Sequence, residues 1–219
     1  MSIAAGIGRA PRHQVGRLLL LLRDELLAVA QIPNIDATLA LDWTKVPSEA
    51  PAPQWANTTA YQLVHDGKYR FASPKFKDEQ RVVGRTLADW LISVIDRHPL
   101  LRQTDGVVVV PGHDARRESF GARLAVSVAH HNNRRTVDVR AVHEFRVAAK
   151  NVDELNRANL LKDQFECNQK LERRRLLIID DVIHTGSTVA EIGGVLRTAG
   201  AAQILALGAA KTLRSPSRG

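Results

Sequence analysis

One run of thirteen residues constrains this chain more than any other: Leu176-Leu177-Ile178-Ile179-Asp180-Asp181-Val182-Ile183-His184-Thr185-Gly186-Ser187-Thr188. Its four leading apolar residues have the length of a parallel strand buried on both faces. The spacing of Val189, Ile192 and Leu196 just beyond is that of the inner face of a helix. The unit therefore reads as strand, loop, helix. In an open α/β sheet such a loop lies at the carboxyl edge, where ligands bind, and its last amides open a helix whose amino end attracts anions. Thr185, Ser187 and Thr188 add hydroxyl donors, and Gly186 lets the backbone come close to a ligand or take a positive φ.

Two other phosphate motifs are excluded. A P-loop requires G-x-x-x-x-G-K-[ST], and the loop has no lysine; a dinucleotide fingerprint requires G-x-G-x-x-G, and Gly186 stands alone. Two carboxylates just before an anion site would repel the anion unless they met something else. Neighbouring sugar hydroxyls and a divalent cation are the natural partners of Asp180 and Asp181, so the ligand expected from the residues is a ribose 5-phosphate carrying further charge. The plainer alternative is a buried strand whose acids serve the turn and whose Ser or Thr caps the helix.

The thirteen residues resemble the signature of type I phosphoribosyltransferases, which bind phosphoribosyl pyrophosphate (PRPP). The resemblance implies that Asp180 and Asp181 hold the ribose hydroxyls and meet Mg2+ indirectly, and that His184, Thr185, Gly186, Ser187 and Thr188 wrap the 5-phosphate. It also implies an open, mainly parallel α/β sheet with flanking helices, extended here by a helical and aromatic N-terminal hood. Some members carry an acid at the position of His184 that exchanges a proton with the acceptor base. A histidine there titrates near neutrality and is a candidate general acid or base, a cation for the phosphate, or a ring turned to solvent.

A second loop is expected at the same sheet edge. Val107 to Val110 reads as a β-branched strand, and after it Gly112 can expose amides while Arg116 and Arg117 supply cations, with His113 between them, so pyrophosphate is a fitting guest. The valine-proline strand end and arginine-rich loop resemble the ComF-like competence proteins, a branch of the same superfamily. So does the shorter Leu63-Val64-His65-Asp66-Gly67-Lys68-Tyr69-Arg70 segment, and so does Arg157-Ala158-Asn159 with Phe165 beyond, in a polar stretch from Glu144 to Glu172 where the superfamily places a mobile catalytic loop. One departure is plain: many ComF-like proteins carry an N-terminal zinc ribbon, and Cys167 is the only cysteine.

Elsewhere, Val15 to Val29 reads as a helix with an apolar face wide enough for burial on two sides, in its own core or in a homodimer. Asp78 or Glu79 opens an amphipathic helix ending at His98-Pro99. Phe120 to Ala129 is a further helix, Val137, Val139 and Ala141 alternate as one strand, and Gln203 to Ala209 forms the last. Gly193 and Gly194 inside a helix imply close packing, expected on the sheet. Six of the ten aromatics, Trp43, Trp55, Tyr61, Tyr69, Phe71 and Phe76, crowd together, fitting a small core or a hood that stacks on an acceptor. Arg173 to Arg175 read as solvated or phosphate-steering. The expected division is an N-terminal helix and hood over 1–76, a phosphoribosyltransferase core over 77–213 and a tail over 214–219.

At 219 residues and 44% hydrophobic the chain can fill one α/β domain. No run approaches the length of a membrane span, and the basic start lacks the apolar core of a secretory signal; cytosol is the expected compartment, with a transit peptide as the alternative. A net charge of +8 suits a polyphosphate ligand and would also give weak, salt-sensitive nucleic-acid binding. The expected function is transfer of the 5-phosphoribosyl group from PRPP to a small nitrogenous acceptor with release of pyrophosphate. The alternative is a non-catalytic PRPP sensor or nucleic-acid-associated accessory protein.

Overall fold

A computed structural model describes residues 26–112, 114, 118–143 and 164–213. His113, Arg116 and Arg117, most of the expected first helix, the stretch expected to hold a mobile loop up to residue 163, and the tail from 214 lie outside them. The fold is an open, mainly parallel α/β sheet with flanking helices. Its strands are β1 (Leu27–Ala28), β2 (Ala37–Trp43), β3 (Gly106–Val109), β4 (Arg135–Asp138), β7 (Arg175–Ile183) and β8 (Gln203–Lys211). They lie in the order β1-β2-β8-β7-β3-β4; β1 is antiparallel to β2 and every other pair is parallel. A separate pair joins β5 (Arg140–Ala141) to β6 (Phe165–Glu166).

Central β7 is apolar on both faces because both are covered. Leu177 and Ile179 pack into one cluster with α1 (Thr59–His65), α2 (Lys77–Arg97) and α3 (Phe120–His131). Leu176 and Ile178 pack into the other with α4 (Ser187–Thr198) and with Ile32 and Ile35. These four strand residues are essentially inaccessible, and each contributes about 1.5–3 kcal/mol by leaving water. The 21-residue α2 follows the expected pattern, with Leu87, Leu91 and Ile95 buried inward and Asp78 and Glu79 in the first turn, where the helix dipole favours them.

Several expectations are corrected. The end of the expected first helix is strand β1, because Leu27, Ala28 and the Val29 amide pair with the open edge of β2. β2 itself was not foreseen; it runs parallel to β8 with Thr38, Leu39, Ala40 and Leu41 buried, so a segment before residue 77 builds the same sheet. The alternation from Val137 to Ala141 spans two strands, since β3 ends opposite Asp138 and the chain then pairs with β6 instead. Gly193 packs not on the sheet but on Ile35 and Asn34, which would lie 2.7 and 3.1 Å from an added Cβ. The crowded aromatics do not form a buried core: Phe71 meets Phe76 edge to face, Trp55 Nε1 donates to loop carbonyls, and Tyr69 is 55% exposed.

Arg175 is also corrected. It lies at the amino end of β7, opposite the candidate site, and its guanidinium grips Asp105: Nη2 donates to Oδ1 at 3.0 Å, and the Arg175 amide donates to Oδ2 at 2.8 Å. These hydrogen bonds hold the Asp105 carboxyl below its ordinary range, against a smaller opposing push from burial. A depressed carboxyl stabilises the fold above its unfolded pKa of about 4, and that contribution disappears as pH falls through the folded value. Asp105→Asn is therefore expected to lower the melting temperature at about pH 7, by a margin that narrows as pH falls below about 4. A deficit that does not change with pH, read by thermal denaturation, would exclude the charged pair as its source.

Candidate functional site at the carboxyl edge of the sheet

β7 continues past its apolar run, so both acids lie on the strand: Asp180 stands opposite Gly208 and Val182 opposite Ala210. Side chains alternate along a strand, which sends adjacent Asp180 and Asp181 toward opposite faces. Asp180 is half-buried, and its Oδ1 accepts the Asp181 amide at 3.0 Å. Asp181 is only 8% exposed and faces α3, where an added Cβ on Gly121 would come 3.2 Å from Oδ2. A carboxylate this enclosed requires a partner. It has one in Lys68, whose Nζ donates to Asp181 Oδ1 at 3.0 Å.

Lys68 stands on a π-type turn, Asp66–Arg70, that continues α1, with the Phe71 amide reaching back to the Asp66 carbonyl at 2.8 Å. The turn is fixed at Gly67. Its carbonyl accepts from Gln80 Nε2 at 2.7 Å, and the Phe120 ring fills the space where a Cβ would stand, 2.3 Å away. Burial alone would lower the Lys68 pKa; the adjoining Asp181 carboxylate, through charge and hydrogen bond, outweighs this and raises it. Lys68 is thus charged throughout the neutral range.

The loop after β7 has the form its residues imply. Gly186 takes φ +85 as the N-cap of α4, a left-handed conformation that L-residues rarely adopt. Thr185 Oγ1 accepts the Ser187 amide at 3.3 Å and lies 2.8 Å from Ser187 Oγ. Helical bonding begins with the Ala190 amide donating to the Gly186 carbonyl, so the amides of Thr188 and Val189 precede the first intrahelical bond. Those amides, with the hydroxyls of Thr185 and Ser187 beside them, are donors that can cradle an oxyanion at the positive end of the helix. Beside it a cavity of about 320 Å³ is lined by Gln31 to Asn34 and by Thr185, Gly186, Ser187, Ala190 and Glu191.

The end of β8 holds this loop from below. Lys211 Nζ donates to the His184 carbonyl at 2.7 Å, and the Thr212 amide donates to the Ile183 carbonyl at 3.1 Å. The exposed His184 ring places Nδ1 2.6 Å from Thr212 Oγ1. Of the second loop, half-buried Gly112 follows β3, which neighbours β7. Asp180, Asp181, His184 to Thr188 and Gly112 therefore share one edge of the sheet. Sequence reading missed Lys68, Ile32, Lys211 and Thr212 as parts of this edge; only for Lys68 was there a signal, in the basic segment after Leu63.

Among the described residues no cluster of three or more His, Cys, Asp or Glu could cage a metal. Magnesium rarely uses such a cage. It is held by one or two carboxylates, waters and the phosphates of its ligand, a mode that half-buried Asp180 fits, whereas the Asp181 carboxylate is already paired with Lys68.

No family model and no curated protein matches the chain. Among solved structures it is similar to adenine phosphoribosyltransferases. That of Leishmania tarentolae shares 11% identity over 85% of this chain and 94% of that one, with a TM-score of 0.46. That of Trypanosoma brucei shares 15% over 83% and 73%, with a TM-score of 0.44, and that of Saccharomyces cerevisiae 16% over 93% and 90%, with a TM-score of 0.41.

Proposed function

We propose that this chain binds PRPP with magnesium at the carboxyl edge of β7 and transfers its 5-phosphoribosyl group to a nitrogenous, nucleobase-like acceptor, releasing pyrophosphate. The observation that carries this reading is the juxtaposition, within the seven residues from Asp180 to Gly186, of two carboxylates at a central strand end and a left-handed glycine opening a helix. The 5-phosphate sits on the cradle from His184 to Thr188, the ribose reaches back to the end of β7 at Asp180, and the diphosphate lies toward the end of β3 at Gly112. In the reaction the bond from C1 to the pyrophosphate oxygen breaks, its electron pair leaving with pyrophosphate, while the acceptor nitrogen bonds to C1 and loses its proton. Magnesium, when bound, neutralises charge on the leaving group. The chain's own donors fix the sugar and its phosphate so that the transition state costs no reorganisation.

His184, oriented by Thr212, is assigned the acceptor's proton. The test is pyrophosphate release from PRPP over a panel of nitrogenous acceptors, for the wild type and for His184→Thr, as a function of pH. The variant is expected to lose roughly 10²-fold in turnover and one limb of the pH profile, with PRPP affinity nearly intact. Full turnover with an unaltered profile excludes proton transfer by His184, and lost affinity with turnover preserved assigns it to the phosphate. A wild type that binds PRPP but releases no pyrophosphate with any acceptor is a sensor or accessory protein, not a transferase.

A further inference from the structure

The pairing of Lys68 with Asp181 is not required by the strand–loop–helix unit, and it constrains what Asp181 can do. The carboxylate is enclosed by Gly121 on α3 at Oδ2 and by Lys68 at Oδ1, and it is 8% exposed. With Oδ1 taken by the lysine and Oδ2 against α3, little of the carboxylate is left for a sugar hydroxyl. Asp180 is half-buried and, by the alternation of the strand, turned to its other face.

Lys68 is arranged differently. An ammonium has three N–H donors; Asp181 receives one, and 30% of the side chain is exposed. The backbone beneath it is pinned by Gln80 and by Phe120 against Gly67, so the charge is held in place without the turn having to move. Phe120 and Gly121 open α3, the helix entered from the end of β3. The lysine therefore stands at the end of β7 beside the start of α3, the helix that follows the second loop, where the diphosphate of the ligand lies in the reading above.

We infer that Lys68 is a ligand-binding residue for the diphosphate group, that Asp181 positions it, and that the acids of the site divide their work: Asp180 meets the sugar and Asp181 holds Lys68. This rests on the proposed binding of PRPP and assigns a residue that the strand–loop–helix motif does not contain. A preformed pair offers a polyanion a fixed charge, while its carboxylate keeps that charge from being left uncompensated in the empty protein.

Calorimetric titration separates the roles, using PRPP with magnesium and, in parallel, ribose 5-phosphate, which has no diphosphate. Lys68→Met and Asp181→Asn are each expected to weaken PRPP roughly 10- to 100-fold, the range for loss of a charge-assisted hydrogen bond. The double variant should be no worse than either, because both remove one unit. Ribose 5-phosphate affinity should stay within about twofold throughout. Lys68→Met leaves a buried carboxylate uncompensated, but the double variant replaces both charges with neutral groups and supplies the PRPP comparison even if the single one fails to fold. Unchanged or tighter PRPP binding without Lys68, or loss of ribose 5-phosphate in Asp181→Asn, overturns the inference. A wild type that binds neither ligand rejects the PRPP site itself, which is a different result from wild-type PRPP binding that no longer depends on Lys68.

Discussion

Replacing Asp180 and Asp181 together by asparagine is expected to weaken PRPP by about 10³-fold in the presence of magnesium. Hydrogen bonds to charged groups contribute about 1.5–3 kcal/mol each, and two lost together amount to a factor of about 10² to 10⁴. The neutral ends also remove the charge that draws magnesium to the ligand, so the variant should have lost most of the metal dependence that the wild type shows. Asparagine keeps the shape of the side chain, and Lys68, partly exposed, can turn its ammonium to water when Asp181 is neutral. The fold should therefore persist, which thermal denaturation of the same samples checks. Calorimetry with and without magnesium reads the effect. A folded double variant with wild-type affinity would leave neither a sugar contact by Asp180 nor the Asp181–Lys68 pair any part in binding, and the reading of the site would fail.

The prominence of this pair in the sequence and the obscurity of its partner have one physical origin. A strand covered on both faces must be apolar at every position, and a helix packed on a sheet must repeat its apolar residues, so β7, α4, α2 and α3 are written in local periodicity. β2 meets the same requirement with Thr38 and Ala40 among its buried positions, and such small residues blur the pattern. β1 is shorter still: two residues whose conformation is set by the edge they pair with. Lys68 and Asp181 are 113 positions apart, and no local pattern records which turn will be delivered to which strand end. What the sequence did display was a basic segment after Leu63 that resembled a family pattern, without the reason for its charge. In the structure Lys68 of that segment meets the enclosed carboxylate of Asp181, and Arg70 meets Asp66.

The same limit applies to Gly186, where the sequence shows a loop glycine but not the residue that faces it, which the structure identifies as Ile32. At φ +85 an L-residue is disfavoured by about 1–2 kcal/mol, and more with a branched Cβ. A Cβ would also stand 2.4 Å from Ile32 Cδ1 and 2.9 Å from Cγ1, in a part of the core where overpacking costs about 1–3 kcal/mol. Gly186→Val is thus expected to lose about 2–5 kcal/mol of stability, a fall in melting temperature of roughly 5–20 °C for a chain of this size. It should also lose the protection against heating that ribose 5-phosphate gives the wild type. The two losses separate in a cycle with Ile32→Ala. Shortening Ile32 removes the packing conflict, so valine at 186 should cost less in that background, while the φ penalty and the obstructed cradle remain. Equal costs in both backgrounds would show that Ile32 is not the obstacle. Protection of Gly186→Val equal to that of the wild type would move the phosphate away from this loop.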